Sequence, residues 1–108
     1  MDKYEKLAKD LEQAHMFALN KIKEENIKAE GSFNMDALLI DLPRWQEKRV
    51  EDALKDNSIR GYKHSQWSGT FVFNASCGLQ SQRTCGMEYM RDFMKELGYH
   101  ATVMYIMD

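Results

Sequence analysis

The segment from Lys3 to Lys28 constrains the fold more than any other. Tyr4, Leu7, Leu11, Ala14, Ala18 and Ile22 recur at steps of three and four, so they form one stripe of a helix. Asp2 and Glu5 have capping-box spacing, with Asp in place of the usual Ser or Thr. Gly31, followed by Ser32 and Asn34, ends the pattern. A helix over residues 3–28 would be about 39 Å long at about 1.5 Å per residue. A compact chain of 108 residues has a radius of gyration of about 13 Å, hence a diameter of about 34 Å as a uniform sphere. The helix is therefore expected to span the molecule or to project from it. Met16, Phe17 and Leu19 widen its apolar surface at the middle, and Leu11, Phe17, Ala18 and Ile22 are the side chains expected to meet a second copy in a homodimer. Lys21 and Glu25 interrupt the seam, which argues against a long coiled coil.

The segment "NMDALLIDLPRWQEKRVEDALKDN" reads as helical over residues 34–57. Asn34 or Asp36 can cap a short helix over "ALLIDL", although four consecutive apolar residues also suit a strand. Asp41 ahead of Leu42 and Pro43 marks a second start. Trp45, Val50, Ala53 and Leu54 then give a buried face, with Glu47 and Glu51 among Lys48, Arg49 and Lys55 on the wet side. Two strands follow, about 59–64 and 69–75, joined by "SQWSG". Residues 85–97 form a helix with Tyr89, Met90, Phe93, Met94 and Leu97 on one face and Gly98 as its stop. In the terminal "YHATVMYIM", both alternating faces are apolar, which suits a central strand or one covered by a partner. The expected architecture is a single α+β domain: a long N-terminal helix, one or two further helices, and a ββαβ unit over 58–108 whose small three-stranded sheet is packed by helices.

A formal net charge of −2 gives no overall field favouring nucleic acid, so any such surface would be a local patch. No apolar run approaches a membrane span, and "MDKYEKLAKDLEQ" lacks the apolar centre of a signal peptide. A small soluble cytoplasmic protein with reduced cysteines is the expectation, a Cys77–Cys85 bridge remaining open. The hairpin "IRGYKHSQWSGTFVF" places Arg60, Tyr62, Lys63, His64 and Trp67 together as a binding surface. Met87, Met90 and Met94 occupy neighbouring helical turns, with Met104 and Met107 on the adjoining strand, which suits a groove for a partner. Cys85 near a helix start, assisted by His100, is a weaker candidate for a nucleophile. His64, Cys77, Cys85 and His100 are a weaker candidate zinc set, because no close CxxC or HxxxH pair is present. Phosphate-cradling glycine loops, HExxH and GxSxG are absent, and the acids are scattered. The expected function is that of a non-enzymatic regulatory or accessory protein without cofactor or membrane association. It would act through contact with a protein partner, as a homodimer. A single-stranded nucleic-acid binder using the hairpin is the alternative, and a thiol- or zinc-dependent enzyme the second alternative.

Overall fold

The Asp2 carboxylate accepts from the Glu5 N–H at 2.9 Å and starts the first helix, α1, Lys3–Glu24. A computed structural model describes residues 2–31, 35–78 and 80–106. After α1 come β1 (Ala37–Asp41), α2 (Glu47–Leu54), β2 (Ile59–Lys63), β3 (Thr70–Ala75), α3 (Ser81–Glu96) and β4 (Ala101–Met104). At 22 residues α1 is about 33 Å long, within the 37 Å long dimension of the molecule. It spans the body and does not project: the Tyr4 ring meets Trp45 at 4.8 Å near one end, and Ile22 is buried near the other. No helix among the described residues is long and apolar enough to cross a membrane.

Among the described residues the sheet has four strands, not three. Its order is β2-β3-β1-β4, and every pair is antiparallel. The added strand is "ALLID", for which a short helix was expected. Leu38 and Ile40 face the helices while Ala37 and Leu39 face the other way, and all four are buried. A run that is apolar on both sides has no helical stripe to offer and is satisfied between two neighbouring strands. The expected helical segment 34–57 is therefore reduced to α2. The expected cap Asn34 lies outside the described residues, and Asp36 caps nothing here. Its buried carboxylate accepts from the Thr84 hydroxyl at 2.7 Å and from the Ile106 N–H at 2.8 Å. The last strand is an edge strand: β4 pairs with β1 alone.

All three helices pack on one side of this sheet, around Leu7, Leu11, Leu38, Phe71, Phe73 and Met90. α3 begins at Ser81, four positions earlier than its apolar pattern indicates, because the backbone of Glu30 and Ser81 is tied there. Glu30 N–H donates to the Ser81 hydroxyl at 3.0 Å, and Ser81 N–H donates to the Glu30 carbonyl at 3.0 Å.

Tyrosines seal the helices to one another. Tyr89 donates to Glu25 at 2.5 Å and Tyr99 to the partly buried Asp10 at 2.6 Å. The Glu25 bond is the main cause that pushes Tyr89 up to about 12, and burial first, then Asp10, raises Tyr99. Because both folded values lie above the unfolded tyrosine value of about 10, their contribution is complete below about pH 10 and is lost above it. Unfolding free energy is expected to begin falling near pH 9, where the buried Cys77 thiol, pushed up to about 11, starts to lose its contribution, and to fall more steeply beyond about pH 10. Urea titrations across alkaline pH would check this, and Tyr99→Phe should flatten the fall. An identical alkaline profile for wild type and Tyr99→Phe would contradict it.

Candidate functional site

Strand alternation sends Arg60 and Tyr62 of β2 to the face of the sheet that carries no helix among the described residues. There Tyr62 pairs with Val72, Val72 with Leu39 and Leu39 with Thr102, giving one continuous row across all four strands. Beside it Arg60 pairs with Asn74, and Ala37 with Met104. Ala37, Leu39 and Val72 form a small buried cluster with Met104 packed against it, separate from the main core. Around this apolar centre stand exposed aromatics, Tyr62 at 45% and Trp67 at 52% of full exposure. The rim is polar. Arg83 donates from Nε to the Asp36 carbonyl at 2.9 Å and from its guanidinium to the Asn74 Oδ1 at 3.0 Å, and Thr70 donates to Asp41 at 3.0 Å.

The hairpin loop has its own order. The His64 ring stacks on Trp67, with centroids 4.2 Å apart and planes 11° from parallel. His64 Nδ1 accepts the backbone N–H groups of Gln66 at 3.0 Å and Trp67 at 3.2 Å, which leaves the ring proton on Nε2. Gly69, at φ 81°, closes the turn. The structure thus brings Arg60, Tyr62, His64 and Trp67 to one side of β2 and its loop. Alternation directs Lys63 the other way, and its N–H donates to the Glu47 carboxylate at 2.8 Å.

Cys77, Cys85, His64 and His100 are not brought together. Asp41 N–H donates to the His100 carbonyl at 3.1 Å, His64 N–H donates to the Thr70 carbonyl at 2.8 Å, and Asp41 pairs with Thr70. Both histidines therefore flank the same end of the sheet, on its two outer strands about 14 Å apart at about 4.8 Å per strand. Cys77 follows the opposite end of β3, about 17 Å away at about 3.4 Å per residue. Cys85 sits near the start of α3 and His100 beyond its end, separated by about 17 Å of helix. Burial pushes the Cys77 thiol up to about 11, and burial, then Glu88 and Glu25, raise Cys85. Arg83 beside Cys77 opposes the rise but does not overcome burial, and Cys85 faces acids, so neither thiol is held as a reactive thiolate. Both are free cysteines, and the described residues contain no group of three or more His, Cys, Asp or Glu arranged for a metal.

Met87, Met90 and Met94 are at most 1% exposed and fill the core beneath the sheet, and Met107 lies outside the described residues. Leu11, Ala18 and Ile22 are buried in the same core, while Phe17 packs on Tyr89 at 6.2 Å and Phe93 at 5.4 Å. The large apolar side chains that α1 exposes are Met16 and Leu19. The residues that sequence reasoning missed are Ala37, Leu39 and Val72; Met104 was assigned to a methionine groove and stands instead against these three. Their signal was the apolar character of both faces in "ALLID", "FVF" and "VMYIM". Comparison with protein-family models, with curated proteins and with solved structures gives no match.

Proposed function

We propose that the chain is a non-enzymatic regulatory binding protein whose working surface is the helix-free face of the sheet with its adjoining hairpin, and that the occupant is another protein. One observation carries this: exposed Tyr62 and Trp67, with Arg60 and Asn74, stand around the small buried apolar cluster of Leu39, Val72 and Met104, on a face that no helix among the described residues covers. Tyr, Trp and Arg are the residues that dominate the energetics of a protein interface, and the polar groups around them suit its rim. A homodimer through α1 would use Met16 and Leu19, since the other apolar side chains of that helix point inward.

The same aromatics and Arg60 favour single-stranded nucleic acid as a second reading. Against it, the central strands present Leu39 and Val72 where bases would need rings to stack on, and the net charge is −2.

The discriminating experiment compares wild type with a Tyr62→Ala, Trp67→Ala double variant, both side chains being exposed and outside the core. Capture of a protein partner from the native cell is expected with wild type, with affinity reduced at least tenfold in the double variant, since such anchors contribute about 2 kcal/mol or more each. Unchanged capture by the variant would remove the sheet face from the proposal. Salt-sensitive fluorescence quenching by an unstructured oligonucleotide, absent from Trp67→Ala, would shift the conclusion to nucleic acid.

A further inference from the structure

The free edge of β2 has a donor and acceptor pattern of its own. His64 N–H donates to the Thr70 carbonyl at 2.8 Å, which makes residues 64 and 70 a hydrogen-bonded pair of the antiparallel ladder. Alternation then makes 62/72 and 60/74 the next such pairs, and turns the backbone N–H and C=O groups of Ile59, Gly61 and Lys63 outward. Glu47 covers the outward N–H of Lys63 at 2.8 Å. Among the described residues nothing meets the outward groups of Ile59 and Gly61. A cleft of about 530 Å³ opens beside them, bounded by Glu51, Leu54 and Lys55 of the α2 end and by Arg60 and Tyr62.

We infer that this edge takes an extended, acidic segment of a partner protein, which adds to the sheet as a fifth strand beside β2. The inference rests on the protein-contact reading above and names a different contact. Two N–H and two C=O groups at positions i and i+2 are matched by another extended backbone. The cleft has room for the side chains on either side of that backbone. Lys55 and Arg60 flank the cleft without an ion pair among the described residues, against Glu51 as its one lining acid, while Glu47 is engaged farther along the edge by the Lys63 N–H, so an acidic side chain complements the cleft. A second copy fits less well. Two-fold pairing centred on Arg60 would use the open groups of Ile59 and Gly61 but set Arg60 against its own copy, a like-charge pair, and pairing centred on Gly61 would set Ile59 against Lys63, whose N–H is already held by Glu47.

The test selects binders to the 108-residue chain from a display library of short random peptides, then measures amide hydrogen exchange with the tightest one. Selected peptides are expected to carry Asp or Glu, and to slow exchange at Ile59 and Gly61 at least tenfold. Lys55→Glu with Arg60→Glu, both exposed, should weaken binding at least tenfold while leaving the circular dichroism spectrum unchanged. If those amides stay fast while Leu39 and Val72 signals shift, binding is on the sheet face; strand addition is then wrong and the protein-contact reading stands. Protection of Ile59 and Gly61 without peptide, with doubled mass, would assign the edge to a second copy and overturn the inference. Failure to select any peptide, with a protein partner still captured in the preceding experiment, would overturn this inference alone; failure of both would overturn the reading beneath it.

Discussion

Replacing Asp36 with alanine is expected to lower the unfolding free energy by about 3–5 kcal/mol, a large part of what a domain of this size has. The carboxylate is 3% exposed and joins three parts of the chain. It sits at the entry to β1, accepts from Thr84 in the first turn of α3, and accepts from Ile106 just after β4. Removing it leaves the half-buried Thr84 hydroxyl and the Ile106 backbone N–H without that acceptor, so the loss exceeds two fully exposed hydrogen bonds. Asparagine keeps one acceptor oxygen and loses the charge, so Asp36→Asn should cost roughly half as much. Urea unfolding of the three proteins decides it. Equal losses under about 1 kcal/mol for both variants would show that the carboxylate is not the tie described.

The second large effect belongs to Phe73 and Gly61. Phe73 is fully buried at the centre of β3, and truncation to alanine is expected to cost about 3–5 kcal/mol. Its ring also explains the glycine opposite. A Cβ at position 61 would stand 2.6 Å from the Phe73 ring and 3.0 Å from Leu54 Cδ1. Gly61→Ala should therefore destabilise the wild type by about 1–3 kcal/mol through overpacking. In a Phe73→Ala background the same alanine enters the vacated space, and its cost should fall close to zero or reverse. Simple additivity of the two losses would refute the contact. Gly61 is thus a packing residue on its inner side, while its backbone on the outer side is the open edge of the sheet.

Much of the fold was legible in the residues. The stripe from Tyr4 to Ile22, the hairpin around Gly69 and the face of Tyr89, Met90, Phe93 and Met94 each repeat with a period that belongs to one kind of element. "ALLID" misled because a short run apolar on every side has no period to read; only neighbours on both sides make it a strand. Asp36 misled for a related reason. Beside a possible helix start an acid reads as a cap, and its real partners stand 48 and 70 positions away in sequence.

The site divides in the same way. Arg60, Tyr62, His64 and Trp67 were visible as a cluster because they are local in sequence and alternate. Nothing local could show that Leu39, Val72 and Met104 complete their surface, since those residues arrive from three different strands. The sequence by itself determined the long first helix, the hairpin and the final helix, because periodicity and turn residues act over a few neighbours. The tertiary structure alone decided the fourth strand, the placement of all helices on one face, and hence which apolar side chains remain on the other. Those depend on strand order and register, which pairings between distant segments settle and local patterns do not encode.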